Sequence, residues 1–421
     1  MLIENSSKLL ENFINRFGKN FNFVILSIFQ SLINFVVFYF LSFFLGVEQY
    51  GKFLTLTTSL AILLALFTFN SYLYSIQLIK TQKTYEFVGK IYLATLIPAL
   101  LSCILIFIAS FYTSNLFVYF KLILIILFSL SRVFRTIFIS NEQLKKLFLF
   151  ESIFILTFGL LKIFTAFFYK NYLLIIDLMI IEAFLINIFY LLYSKKIYKV
   201  KLKYDPSFHF RFIKKNSPTL ICIFLSLLVF KFDRLISANF LNEYEHGIYM
   251  FTTKLSDFMS IIIIAFNSIY VPRLINLYKK NKYDFEKFFK KLIRNTYYIG
   301  LFLSIIIGFL YSKYLVYFFP EQYEDSKKIF TIVFFNSFLF SINNIAIVWF
   351  MCNSFMVKNF YRSLLSLIIF IPIWIISIKY FGLEGIAYSS FLACFFHLFI
   401  SYAIVGKNNQ AFFFISSLYK H

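Results

Sequence analysis

Charge is scarce in this chain. Of its 421 residues only 14% are Asp, Glu, Lys or Arg, while 61% are hydrophobic and the mean hydropathy is +0.80. Soluble globular domains are about half apolar and about a quarter charged, so a soluble fold is excluded and the chain reads as a polytopic membrane protein. Cysteine and histidine are equally rare, with four of each. Cys103, Cys222, Cys352 and Cys394 fall in apolar runs with no close pairs, which argues against a disulfide framework or a zinc site. The four histidines are scattered, so neither a metal centre nor any other cofactor is expected. No small-residue cleavage site follows the first apolar run, Phe21 to Leu45, which is too long for a signal-peptide core. It is expected to stay in the protein as its first membrane span.

Acidic residues are few beside basic ones, 19 against 41, for a formal charge of +22. Such an excess could serve nucleic acid, so its distribution has to decide. Apolar runs of spanning length begin near Phe21, Phe53, Val88, Leu116, Leu147, Tyr172, Pro218, Gly247, Asn295, Ser326, Lys358 and Glu384, which gives about twelve spans. With the N-terminus inside, about 30 of the 41 basic residues lie in cytoplasmic segments, the positive-inside pattern. Both termini are therefore expected in the cytoplasm. The basic blocks Lys195 to Lys215 and Arg273 to Arg294 then mark topology and attraction to anionic membrane lipid, with no nucleic acid as partner.

The expected organisation is an amphipathic helix over residues 1–20, a first lobe over 21–193, a basic linker over 194–217, a second lobe over 218–405 and a tail over 406–421. Leu10, Phe13, Ile14, Phe17 and Phe21 recur at helical spacing beside Lys8, Arg16 and Lys19, which describes a helix lying on the membrane surface. An internal echo supports the two halves. Glu48-Gln-Tyr-Gly51-Lys-Phe53 opens the second span as Glu245-His-Gly247-Ile-Tyr249 opens the eighth. Aligning the two glycines places them roughly half the chain apart, as a parallel repeat of six-helix units requires.

The informative residues are charges inside the apolar runs, each costing from about 2.5 to 17 kcal/mol near mid-bilayer. The seventh and eighth spans carry Lys231, Asp233, Arg234, Lys254 and Asp257. Asp233 and Lys254 lie at similar depth, roughly 10 Å from the outer ends of their helices, and are expected to pair across the hairpin. By the same reasoning Lys162 of the fifth span is expected to pair with Asp177 of the sixth, with Glu182 nearer mid-membrane. Ser27, Gln30, Ser31 and Asn34 form a polar stripe on the first span, and Thr253, Asp257, Ser260 and Asn267 another on the eighth. Such groups face one another or a wet cavity, and we read them as the lining of a transport path. A carboxylate whose cationic partner moves away takes up a proton more readily, which offers a route to ion coupling.

The sequence resembles the polysaccharide flippases of the Wzx type, within the multidrug/oligosaccharidyl-lipid/polysaccharide (MOP) exporter superfamily. The resemblance is carried by Leu45-Gly46-Val-Glu48-Gln-Tyr50-Gly51, by Phe232-Asp233-Arg234-Leu-Ile-Ser-Ala-Asn-Phe-Leu with Gly247-Ile-Tyr249, and by Val271-Pro272-Arg273-Leu274. Phe319-Pro-Glu321-Gln-Tyr323 and Tyr380-Phe-Gly382-Leu-Glu-Gly385-Ile-Ala387 continue it, with Pro320 where the family often has glycine. The likeness runs from about Phe21 to Val405. It implies an all-α fold with two six-helix lobes around a central cavity that opens alternately to the two sides of a bacterial inner membrane. It also implies an undecaprenyl-pyrophosphate-linked oligosaccharide as substrate, flipped outward for O-antigen or capsule biosynthesis, with a polysaccharide polymerase and a chain-length regulator as partners. Lys162, Lys231, Arg234 and Lys254 would then hold the anionic headgroup. Asp177, Glu182, Asp233 and Asp257 would be counter-charges or take part in H+ or Na+ coupling, and Gln30, Asn34, Ser260 and Asn267 would line the cavity.

Four rival classes compete with this reading. A membrane polymerase or glycosyltransferase on the same carrier usually has a sizeable external loop, and external loops here are only a few residues long. A drug/cation antiporter of the same superfamily shares the topology, but the cationic tilt of the residues above argues for an anionic substrate. A major-facilitator transporter would need a glycine- and arginine-rich loop after the second span, which residues Lys80 to Lys90 do not supply. Related flippases for lipid-linked peptidoglycan precursors usually have extra spans.

Overall fold

The computed structural model describes residues 2–67, 85–110, 116–140, 144–353 and 355–400, with backbone alone for several stretches, among them 2–28 and 259–269. Apart from short connections these residues are helical, with no strand among them. In order they form α1 (Leu2–Phe67), α2 (Glu86–Ser110), α3 (Leu116–Ser129), a 3-10 turn (Leu130–Phe134) and α4 (Arg135–Ser140). Then come α5 (Leu144–Tyr169), α6 (Tyr172–Tyr198), α7 (Pro206–Phe240), α8 (Glu243–Lys280) and α9 (Lys282–Lys313). Last are α10 (Phe330–Cys352) and α11 (Met356–Phe395), the latter running into a π-helical turn (Phe396–Ile400).

Two of these elements are bent pairs. Gly46 (φ 73°, ψ 170°) breaks α1 and Gly382 (φ 52°, ψ −131°) breaks α11, conformations that a residue without Cβ adopts at little cost. Counting both arms of each, and α3 with α4 as one interrupted rod, gives twelve helices, six on either side of the α6–α7 connection. Seven of the described segments are long and apolar enough to cross a membrane, the bent pairs counting once each. The expected all-α, polytopic membrane fold is therefore what the chain adopts.

Hydropathy alone places several helix ends too close to the apolar core. The seventh helix begins at Pro206, and the basic block around residue 280 is helical except for Asn281, which ends α8 and caps α9. Lys and Arg are good helix formers, so a rod continues past the hydrocarbon wherever its neighbours pack. Short polar residues stop and start the rods. Asn171, Asp205, Asn242 and Asn281 each accept a backbone N–H of the first turn that follows, satisfying donors that a helix start leaves open.

The first half packs around Ile126, Phe134, Ile137 and Tyr190. A larger core joins the second half to α1. There Phe38 stacks on Phe251 with centroids 5.4 Å apart, and Phe251 stacks on Tyr323 at 4.1 Å. Outward faces stay apolar and exposed, as at Leu105, Leu160 and Phe302. Against lipid tails such faces gain nothing by burial, so close packing and internal hydrogen bonds hold the halves together.

The halves meet tightly at the end where α1 turns at Gly46 and α7 turns into α8. The two glycines of the sequence echo lie against each other. A Cβ on Gly51 would stand 2.7 Å from Gly247 Cα, and one on Gly247 would stand 2.4 Å from Val47 O. Around this contact Lys52 pairs with Glu243 at 2.8 Å, and His246 bridges Thr55 Oγ1 (2.6 Å) and Ser237 Oγ (3.0 Å). Tyr323 OH donates to Ser42 O at 3.1 Å and Tyr39 OH to Phe318 O at 3.0 Å.

Candidate functional site

The membrane-embedded charges of α7 and α8 converge on one carboxylate. Lys231 and Arg234, three residues apart, share a face of α7. Arg234 grips Asp257 of α8 with both ends of its fork, Nη1 to Oδ2 at 2.7 Å and Nη2 to Oδ1 at 3.0 Å. Lys231 Nζ reaches the same Oδ2 at 3.3 Å and lies over the Phe340 ring. Lys254, one turn before Asp257 on α8, stands over Phe258 at 5.2 Å from the ring centroid. The cluster is not sealed, since Asp257 keeps 28% of its side-chain surface accessible.

The expected pair of Asp233 with Lys254 does not form. Successive residues turn by about 100° around a helix, so Asp233 points away from the face shared by Lys231 and Arg234. It accepts a hydrogen bond from Tyr249 OH, and Tyr249 in turn lies 3.2 Å from Ser390 Oγ of α11. Asp233 is buried, with its Oδ1 bonded to nothing among the described residues. Asp233 also belongs to the wall of a polar cavity of about 20 Å³, which Arg234, Tyr249, Asp257 and Asn336 line with it. The space is enough for about one water.

The first half carries a second set, also paired differently from expectation. Lys162 of α5 bonds Glu182 of α6, while Asp177 of α6 pairs with Lys121 of α3 at 2.6 Å. Asp177 and Glu182 are five residues apart, which turns them toward different neighbours by about 140°. Equal depth was therefore the wrong criterion for choosing Asp177. Gln30 donates to Glu151 Oε2 at 3.2 Å, and Asn34 is exposed. The side chains of Ser260 and Asn267 lie outside the described residues.

Three centres escaped the sequence reading. Glu151 of α5 gathers Gln30, Arg135 (3.1 Å) and Tyr190 (2.6 Å), so it ties α1, α4 and α6 together. The partnership of Tyr249 with Asp233 and Ser390 joins uncharged side chains to a buried acid, and although Tyr249 stands in the echo motif its hydroxyl gave no sign of that role. Arg362, 1% exposed on α11, donates to Asn343 at 2.9 Å and stacks on Phe350. For Glu151 and Arg362 the signal was present, a lone ion in an apolar run, the same criterion that picked out Asp257. The described residues hold no group of three or more His, Cys, Asp or Glu that could bind a metal ion.

Outside the membrane span, Asp205 precedes α7 and pairs with Lys90 of α2 at 2.8 Å. That hydrogen bond, helped by the Phe208 N–H, holds the Asp205 carboxyl well below the usual carboxylate range. His209 is buried with its ring 4.6 Å from that of Tyr204, and burial holds its imidazole below the ordinary histidine value.

Twelve rods in two sets of six, with ion pairs between the helices of each set, make a fold that known structures share. The chain superposes on a multidrug resistance MATE family transporter of the MOP superfamily in an inward-facing conformation, with a TM-score of 0.64 and 14% identity over 89% of this chain and 94% of that one. An outward-facing conformation of such a transporter gives 0.61 and 12% identity over 92% and 94%. The Vibrio cholerae MATE transporter VcmN, in its bent form, gives 0.58 and 13% over 96% and 97%. No protein-family model matches the sequence, and no curated protein sequence does. The fold is thus the one seen in these MATE transporter structures. At these identities the likeness speaks for fold alone and does not reach to the polysaccharide flippases in particular.

Proposed function

We propose that the protein is an alternating-access flippase that carries an undecaprenyl-pyrophosphate-linked oligosaccharide from the cytoplasmic to the outer leaflet of a bacterial inner membrane. The supporting observation is the imbalance of the α7–α8 cluster. Three cations, Lys231, Arg234 and Lys254, stand around Asp257, while the other acid of these two spans, Asp233, is engaged by Tyr249. A pyrophosphate cannot cross hydrocarbon unaided, and guanidinium and ammonium groups replace its lost water with charge-assisted hydrogen bonds. In this reading Lys162 adds a cation from the first lobe. Asp257 is the counter-charge that the substrate displaces, and Asp233, Asp177 and Glu182 serve H+ or Na+ coupling. Both termini lie in the cytoplasm, the lobes are residues 21–193 and 218–405, and a polymerase and chain-length regulator act on the product.

A multidrug/cation antiporter is the second reading, favoured by the multidrug resistance transporters that share the fold. A cationic drug, however, would meet a cluster that already holds surplus positive charge.

Deletion of the gene followed by lipid analysis separates the two. Completed carrier-linked repeat units should accumulate on the inner leaflet, and drug susceptibility should not change. Loss of drug resistance without that accumulation would sink the flippase and leave the antiporter. Asp233→Asn and Lys254→Ala should each abolish surface polysaccharide while the protein stays inserted and abundant.

A further inference from the structure

A second cavity lies away from the α7–α8 cluster, at the end of the bundle that carries the linker. It measures about 450 Å³, within the range of small-ligand pockets. Its floor is apolar, made by Phe134, Leu191 and Val200. Its rim holds Lys195, Lys199 and Lys201, all exposed and with no acidic partner among the described residues. The nearest acid in sequence, Asp205, is already engaged by Lys90.

Two further details point to a ligand. Ser194 lines the cavity at 1% exposure, and its Oγ is buried with no hydrogen-bond partner among the described residues. A helix C-terminus would ordinarily repel an anion, but here the Ser194 carbonyl is occupied by the N–H groups of Lys199 and Val200. The left-handed backbone of Lys199 (φ 51°) makes that double capping possible. The linker itself is held in place, because Lys201 O packs where a Cβ on Gly89 would stand, 2.3 Å away. Beside the mouth, Leu192 and Leu202 are 63% and 52% exposed.

We propose that this pocket is a binding site for one anionic glycerophospholipid of the leaflet it faces. The lysines and Ser194 Oγ hold the phosphate, the apolar floor holds the glycerol backbone, and the acyl chains run out over Leu192 and Leu202. Lysine-lined pockets between helices at the cytoplasmic side are suited to such headgroups. The proposal goes beyond the transported substrate and stands whether or not the flippase reading holds.

The test uses the full-length protein, stripped of lipid in detergent and followed by native mass spectrometry. It is titrated separately with dioleoylphosphatidylglycerol, dioleoylphosphatidylcholine and sn-glycerol 3-phosphate. One phosphatidylglycerol should be retained under conditions that remove phosphatidylcholine. The variant Lys195→Gln/Lys199→Asn/Lys201→Gln should lose at least about tenfold in affinity, each lysine near an anionic surface being worth roughly a factor of five. Asparagine is used at 199 because it tolerates the left-handed backbone. Ser194→Ala, a change too small to disturb the fold, should lose about fivefold and is read even if the triple variant unfolds. The control Lys282→Gln/Lys287→Gln/Lys291→Gln removes equal charge from α9 at the same end and should bind as wild type. An equal loss in the control, equal retention of phosphatidylcholine, no effect of Ser194→Ala, or equally tight binding of sn-glycerol 3-phosphate would each overturn the lipid site.

Discussion

Replacing Gly247 by alanine should prise the two halves apart at the end where they now touch. The added Cβ would stand 2.4 Å from both Val47 O and Val47 Cγ1. Val47 is only 4% exposed and its carbonyl is backbone, so the clash cannot be relieved by a side-chain rotation. Overpacking of this kind costs about 1–3 kcal/mol. Because the strain exists only while the halves are in contact, it acts on the equilibrium between closed and open ends. The closed-to-open ratio should fall about 5- to 150-fold. Gly46→Ala is the control. Its Cβ would meet nothing nearer than 3.8 Å, and its strain comes from the backbone itself (φ 73°, ψ 170°), which costs about 1–3 kcal/mol whichever way the halves lean. Spin labels at residues 170 and 313, on a background lacking the four cysteines, report the separation by pulsed electron resonance. Gly247→Ala should move weight to longer distances and Gly46→Ala should not. An unchanged distribution in a folded Gly247→Ala protein would refute the idea that this backbone contact sets the spacing.

Three other outcomes follow from the clusters. Asp257→Asn leaves the Arg234 fork and Lys231 without their anion and should lower unfolding stability in detergent by about 3 kcal/mol, the low end for a buried pair because Asp257 is partly accessible. Tyr249→Phe removes the donor to Asp233 and should cost about 1–3 kcal/mol. A double-mutant cycle with Asp233→Leu should return a coupling above about 0.5 kcal/mol, and additivity would deny the hydrogen bond. Acid should loosen the linker, as read by hydrogen exchange over residues 199–209. His209, its pKa held down by burial, lends its full stability above about pH 6.5 and loses it as the pH falls and the unfolded chain takes up the proton. Asp205, also depressed, lends its share above about pH 4 and loses it as the pH falls through its own lower pKa. His209→Gln should flatten the upper of the two steps.

Depth and apolar length could be read from the chain, but the direction in which each side chain points could not. Residues deep in apolar runs were recognisable one at a time, and Lys231, Arg234 and Asp257 do come together. Matching partners by depth failed for Asp233 and Asp177 because a helix sends neighbours 100° apart to different rods. The face each rod presents depends on its crossing partners, which one sequence does not reveal. Glu151 shows the converse. As a lone ion in an apolar run it was visible in the chain, but only the folded bundle brings Gln30, Arg135 and Tyr190 to it. The two glycines of the echo turn out to touch, at an approach that leaves no room for a Cβ, and a repeat pattern along the chain does not foretell that contact.

The long rod α7 belongs to both halves at once. Near its start Asp205 and Phe208 are fastened to α2 through Lys90 and Phe87, while further on Lys231 and Arg234 are fastened to α8. Between the two moorings lies Pro218, which has no N–H to offer the Lys214 carbonyl. The hydroxyl of Ser217 reaches that oxygen instead at 3.5 Å, a weak substitute. Any tilting of one six-helix set against the other must strain this beam, and its softest turn is where the flexure will gather.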